Sequence, residues 1–361
     1  MSRVKTFPIT RLLSANAPSF KQEGNSLEPA KGLELEKGLE LEKGLELEKG
    51  LELEKGLEPA KGLELQKSHE RLPIDDQVAS EEPLEIWLKH PLKQAGKASL
   101  LLTTMRSPGD DIALVKGWLH TSGLLDNDTD VQRITHTGSG RVKGSMANQV
   151  LVTLHPQSHF DIHSLHSQGG SHIEYVNSGC GVCGQRSIDV LLDKIPAQET
   201  QSRTKLTAPE VFSLAANLRS QQGVFALTGG CHGAGLFILG KAHTHHSELV
   251  DVREDIGRHN ALDKLIGANL SLLIPKKTPK QGAEITAEKP AEKAPEYGVV
   301  ISSRISFDIV QKAAMANIGM ILAMGAPSSL AIELAQECDI CIAGFIGQNR
   351  NNVYTCDHRI V

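Results

Sequence analysis

The sequence predicts an α/β protein of two unequal parts, a small α+β domain over residues 81–176 and a layered α/β domain over 203–361. Three observations carry this. From residue 207 onward, short apolar runs alternate with helical stripes, the pattern of strands and helices stacked around a largely parallel or mixed sheet. Between residues 82 and 154, strand-like segments surround a single helical stripe. Before that, residues 32–67 repeat Gly-Leu-Glu-Leu-Glu-Lys at a period of six, and no aromatic occurs between Phe20 and Trp87. A glycine in every repeat interrupts helix and strand alike, so residues 1–80 read as a disordered, low-complexity leader.

Composition narrows the function classes. A chain of 361 residues with 40% hydrophobic content can bury two modest cores. No apolar run is long enough to span a bilayer. Residues 1–20 hold basic residues but no continuous apolar h-region, so neither a membrane association nor a secretory signal is expected. Six cysteines in a chain of this length do not make a disulfide scaffold and fit a reducing, cytoplasmic location. The net charge is -5, more than half of it in residues 1–80. A near-neutral remainder argues against nucleic-acid binding but leaves room for a local basic pocket.

Taken in order, residues 83–89 alternate as a strand does. Ser107-Pro108-Gly109-Asp110-Asp111 forms a turn and helix start, and Ile112, Leu114, Val115, Trp118 and Leu119 follow on a helix. Strands are expected around 131–135 and 150–154. Thr207-Ala208-Pro209-Glu210 is a capping box, and Val211, Leu214, Ala215 and Leu218 give the stripe of the next helix. Residues 224–227 and 236–239 read as short strands around the bend Gly229-Gly230-Cys231-His232-Gly233, with a further strand at 249–252 and a helix from about 257. Pro275, Pro279, Pro290 and Pro295 among Lys and Glu mark 275–296 as an exposed, flexible insertion. Strands at 299–302, 320–324 and 340–345 then alternate with helices at 307–316 and 330–337, and 353–355 closes the sheet.

Chemistry concentrates in the stretch 177–202, a mobile loop and linker. It contains Gly179-Cys180-Gly181-Val182-Cys183-Gly184. Glycines disfavour both helix and strand, so the segment presents its thiols on a loop. A Cys-x-x-Cys thiol can have a depressed pKa, and its thiolate is a nucleophile. The hexapeptide alone is compatible with half a zinc site, a redox disulfide pair or a persulfide carrier. Cys338 and Cys341 repeat the spacing but flank a helix end and an apolar strand, and read as core residues. His155, His159, His163, His166 and His172 are dense, yet Pro156, Gly169 and Gly170 weaken any helix that would align them, and the segment reads as solvated.

In open α/β sheets ligands gather at strand C-termini and helix N-termini. Three such turns are polar: Glu254-Asp255-Ile256-Gly257-Arg258-His259-Asn260, Ser302-Ser303-Arg304-Ile305-Ser306, and Ala326-Pro327-Ser328-Ser329. Asp255, Ser306 and Ser329 are good N-caps, while Arg258 and Arg304 at two turns point towards a phosphate-bearing ligand. A zinc deaminase would place His-x-Glu and Pro-Cys-x-x-Cys at these helix starts. The chain has His259-Asn260-Ala261 and Ser303-Arg304-Ile305-Ser306 instead, which excludes zinc hydrolysis there.

From about Glu82 to Val361 the sequence resembles the FdhD family, the formate dehydrogenase accessory sulfurtransferases. The marks are the cysteine hexapeptide, Thr228-Gly229-Gly230-Cys231-His232, the run from Glu254 through Asn260 to Lys264, Ser302-Ser303-Arg304, Ala326-Pro327-Ser328-Ser329-Leu330 and residues 344–355. Thr121-Ser122-Gly123 stands where the family usually has Thr-Glu-Gly, and the stretch before the cysteines is His-rich where the family tends to carry Arg. The resemblance implies a layered α/β/α, cytidine-deaminase-like larger domain without deaminase chemistry, and a homodimer. It implies that a cysteine desulfurase loads sulfur on Cys180, with Cys183 as its companion. The sulfur then goes to the molybdenum cofactor, bis-molybdopterin guanine dinucleotide, bound as cargo before insertion into the formate dehydrogenase catalytic subunit. The cofactor-binding segment it implies is Phe345, Ile346, Gly347, Gln348, Asn349 and Arg350, to which the polar turns add Arg258, His259 and Arg304. No permanent metal is expected.

Overall fold

The computed structural model describes residues 3–13, 70–92, 96–124, 130–137, 148–158, 175–176, 195, 204–239, 247–274, 295–347 and 350–361. Residues 1–7 and 76–361 form one compact unit and residues 8–75 another. Strands β1 (Val4–Leu13) and β2 (Glu70–Ala79) pair as a two-stranded sheet, where the sequence reading expected only disordered leader. Their pairing joins segments on either side of the repeat, so no local pattern announces it. At its base the Ser80 N–H donates to the Arg3 carbonyl (2.8 Å). The repeat, 32–67, lies outside the described residues.

The next strands are β3 (Glu82–Lys89), β4 (Ala98–Arg106), β5 (Val131–His136), β6 (Gln149–Leu154) and β7 (Tyr175–Val176), in the order β5-β6-β3-β4-β7. Alternation in β3 sends Leu84, Ile86 and Leu88 to one face. There they meet Leu114, Val115 and Leu119 of helix α1 (Asp111–Thr121), while Ile112 stays exposed. Fully buried Arg106 forms a two-pronged ion pair with Asp111 (2.8 and 3.0 Å) that fixes the start of α1.

The second sheet contains β8 (His232–Ile238), β9 (Glu248–Asp255), β10 (Tyr297–Ile301), β11 (Met320–Ala323), β12 (Cys341–Gly344) and β13 (Asn352–Val353), in the order β13-β12-β11-β10-β8-β9. The centre is parallel, β10 to β11 to β12, and the flanks are antiparallel. Helix α2 (Ala208–Gln221) covers one face with Val211, Leu214 and Leu218. The expected capping box is present: the Thr207 N–H and hydroxyl both donate to the Glu210 carboxylate (2.8 Å each).

Residues 224–227 are not a strand. They lie in helix α3 (Gly223–Thr228), because the Glu254 carboxylate accepts the N–H groups of Val224 (2.9 Å) and Phe225 (2.8 Å). On the other face lie α4 (Arg258–Ala268), the short α5 (Leu270–Leu273), α6 (Phe307–Met315) and α7 (Ser329–Glu337). The fold is therefore mixed α/β, with helices on both faces of the larger sheet. Cys338 packs against the core on the α4 side and Cys341 is buried in the core on the α2 side, so they point to opposite faces as core residues do.

The two sheets are joined where α1 crosses α4. Asp263 on α4 pairs with Lys312 on α6 (2.9 Å) and accepts from the Thr121 hydroxyl on α1 (2.9 Å), all out of water. No helix among the described residues is long and apolar enough to cross a membrane.

Candidate functional site

One edge of the larger sheet collects most of the polar turns. Strands β9, β10, β11 and β12 end there. Strand β8 runs antiparallel to its neighbours, so it starts there, with His232 opposite Asp255 and Ala234 opposite Ile301. The turn after β9 is fixed by a buried carboxylate. Asp255 accepts the N–H groups of Gly257 (2.8 Å) and Ser107 (3.1 Å) and pairs with Lys264 (2.6 Å). The Ser107 hydroxyl accepts the Ile256 N–H (3.1 Å), and its carbonyl accepts from Lys264 (2.8 Å). Ser107, the residue just past β4, thus locks the turn that presents Arg258. Asp255 organises the turn from behind, whereas the residue at the N-cap position is Gly257.

The loops after β10, β11 and β12 are laced together. Gly325 N–H donates to Ser303 carbonyl (3.2 Å), Ile305 N–H to Ala326 carbonyl (3.0 Å) and Phe345 N–H to Gly325 carbonyl (3.1 Å). A Cβ on Gly325 would stand 2.8 Å from the Arg304 backbone, so only glycine permits this approach. Phe345 is held at φ 54, a left-handed conformation that bulky residues rarely adopt and that concentrates at functional sites. Its ring lies 5.2 Å from the Arg350 guanidinium, within cation–π range.

Three helices begin at this edge, α4, α6 and α7, each with first-turn N–H groups that the helix's own ladder does not bond and a positive dipole end. Ser328, one residue before the expected Ser329, caps α7 by accepting the Ala331 N–H (3.3 Å). Ser306 occupies the N-cap position of α6, but its hydroxyl lies 3.5 Å from His259 Nε2. His259 is buried, with Nε2 also 3.5 Å from Asp308, and so ties α4 to α6 from inside. Burial pushes the Asp308 carboxyl up, against the pull of Lys312 and Arg258.

Arg258 Nε is buried and has no hydrogen-bond partner among the described residues, while Arg304 and Arg350 are exposed. Leaving a buried donor unpaired costs about 1–3 kcal/mol, more for a charged group, so this nitrogen is suited to an acceptor from outside the chain. Burial and the charges of Arg258 and Arg304 hold the His232 imidazole below its usual pKa, against Asp255. Among the described residues no cluster of three His, Cys, Asp or Glu side chains is placed to hold a metal.

The sequence model of the FdhD/NarQ family matches residues 79–361. The chain belongs to that family. Curated relatives named "Sulfur carrier protein FdhD" include that of Streptomyces coelicolor, 37% identical over 79% of this chain and 89% of its own length. The relative from Sulfurisphaera tokodaii is 33% identical over 80% of this chain and 92% of its own. Among solved structures, a protein from Desulfotalea psychrophila provisionally described as a formate dehydrogenase accessory protein matches with a TM-score of 0.53 at 20% identity. It covers 81% of this chain and 94% of that chain, and at this identity the likeness concerns fold alone.

Of the residues singled out from sequence, this family member brings Arg258, His259, Arg304, Phe345, Ile346, Gly347 and Arg350 to one edge. Ile346 and His259 are buried and contribute from beneath, Ile346 through its N–H bond to the Ala323 carbonyl (3.1 Å). Cys180, Cys183, Gln348 and Asn349 lie outside the described residues, as do His159, His163, His166 and His172. Sequence reasoning missed His232 and Ser107. Cys231-His232 did stand out within a glycine-rich bend, but nothing local placed it beside Arg304.

Proposed function

We propose that the chain is a sulfur carrier for formate dehydrogenase maturation. In this reading Cys180 takes persulfide sulfur from a cysteine desulfurase and the chain delivers it to bis-molybdopterin guanine dinucleotide, its substrate, before insertion into the catalytic subunit. Membership of a family whose relatives carry that name is the observation that bears the most weight. The cysteine hexapeptide falls within the matched span.

The sheet edge suits such a cargo. Its guanine nucleotide ends carry pyrophosphates, for which Arg258 Nε, Arg304 and the N–H groups opening α4, α6 and α7 are fitting partners. Phe345 and Arg350 offer an aromatic face and a guanidinium for a base, with Gln348 and Asn349 in the same segment.

The Cys180 thiolate attacks the outer sulfur of the donor persulfide. The donor's S–S bond breaks, its cysteine leaves as thiolate, and a persulfide forms on Cys180. Delivery as sulfide needs two electrons. Attack of the Cys183 thiolate on Cys180 Sγ supplies them, releasing the outer sulfur and leaving a Cys180–Cys183 disulfide for a cellular dithiol to reduce. The larger sheet is read as cytidine-deaminase-like without its hydrolysis, and the protein as a cytoplasmic homodimer.

Expression in a bacterium lacking its own carrier tests the reading. Formate dehydrogenase activity should return with this chain and stay absent with Cys180→Ala. Equal rescue by that variant would refute sulfur carriage.

A further inference from the structure

His232 closes the Thr228-Gly229-Gly230-Cys231-His232 motif at the site edge, and the proposed sulfur chemistry gives it no part. We propose that His232 is a ligand-binding residue, an imidazole that takes up a proton when a phosphate group settles between Arg258 and Arg304. This rests on the reading of the sheet edge as a phosphate site.

The placement follows from topology. Residues 233–238 of β8 alternate between the two faces, Gly235 towards Leu218 of α2 and Ala234 and Leu236 towards α4. His232 shares the α4 face with its register partner Asp255. Ser302 N–H donates to the Gly233 carbonyl (3.0 Å) and Gly233 N–H to the Ser302 hydroxyl (2.9 Å), which fastens the Ser302-Ser303-Arg304 turn beside the imidazole. Next door, Cys231 Sγ lies 3.7 Å from the Ser107 hydroxyl, so the residue before His232 is pinned as well.

The charged and titratable groups around the ring come from every neighbouring element. They are Asp255 on β9, already engaged by Lys264, Arg258 on α4, and Arg304 after β10. Behind Arg258 stand His259 and Asp308. Without ligand, partial burial and the charges of Arg258 and Arg304 hold the ring below its usual pKa, against Asp255, so it is mostly neutral near physiological pH. A phosphate group bridging the arginines reverses the local field. The ring then binds a proton from solvent and donates to a phosphate oxygen, and ligand affinity rises as pH falls.

Titration calorimetry with GDP, a fragment of the proposed cargo, tests this in Hepes and in Tris at about pH 7.5, where an unperturbed imidazole is mostly neutral. Any uptake by the nucleotide's own phosphate is common to all proteins compared. Native protein should take up protons on binding, and His232→Gln and His232→Asn should bind GDP with that extra uptake lost. Binding by native protein without uptake, or with the same uptake in both variants, would overturn the role of His232 and leave the phosphate site standing. No GDP binding by native protein would overturn both.

Discussion

Gly267 of α4 lies directly against Gly117 of α1. A Cβ added to Gly267 would stand 2.5 Å from the Gly117 nitrogen and 1.9 Å from the Ala113 carbonyl oxygen, and one added to Gly117 would stand 1.9 Å from the Asp263 carbonyl oxygen. The crossing joins the two sheets, and through Ser107 and Asp255 it reaches the turn that presents Arg258. Gly267→Ala must push the helices apart. The expected cost is about 1–3 kcal/mol, as for overpacked cores, read as a lower denaturant midpoint. A midpoint equal to that of the native protein would show that the helices are not in contact.

Asp263 and Lys312 are both withdrawn from water, so removing one partner strands the other. Lys312→Met should lower stability by about 3–5 kcal/mol and Lys312→Met with Asp263→Leu by less, because the second change removes the orphaned carboxylate. A double variant as unstable as the sum of the two single ones would mean that the pair is not coupled.

Cys231 belongs to a family motif but is unsuited to carrying sulfur. Burial pushes its thiol up, the Ser107 hydroxyl only partly offsetting this, and nearby Glu254 and Asp255 add to the rise. A thiol kept protonated is a poor nucleophile. Iodoacetamide at neutral pH should modify Cys231 slowly in the folded protein, and Cys231→Ala should still accept sulfur. Rapid labelling of Cys231, or loss of loading in that variant, would contradict the assignment.

Arg350 sits on the Phe345 ring at the exposed end of the edge. Arg350→Ala should weaken guanine nucleotide binding by about tenfold, in line with about 1–2 kcal/mol for a desolvated cation–π contact. Unchanged affinity in titration calorimetry would take Arg350 out of the site.

The centre of the larger sheet was largely legible because β10, β11 and β12 are fully buried apolar runs set off by helices. Residues 297–301, 320–323 and 341–344 are buried throughout. The exception, 224–227, is also an apolar run, and its conformation is decided by Glu254, some thirty positions later. That one change moves His232 from a hairpin bend to the first residue of an antiparallel strand, which is why its neighbours could not be read from sequence. Arg258 and Arg304 were legible because strand ends collect ligands in α/β sheets. Ser107 was not, since its partners Asp255 and Lys264 lie across the interface between the sheets. Strands β1 and β2 were hidden for a similar reason, with partners on opposite sides of the repeat.

Sulfur carriage by Cys180 is open to peptide mass spectrometry after incubation with a cysteine desulfurase and cysteine, with Cys180→Ala and Cys183→Ala in parallel. One added sulfur is expected on the Cys180 peptide, retained in Cys183→Ala and absent from Cys180→Ala. Added sulfur on Cys180→Ala, or none on native protein with zinc bound in its place, would contradict it.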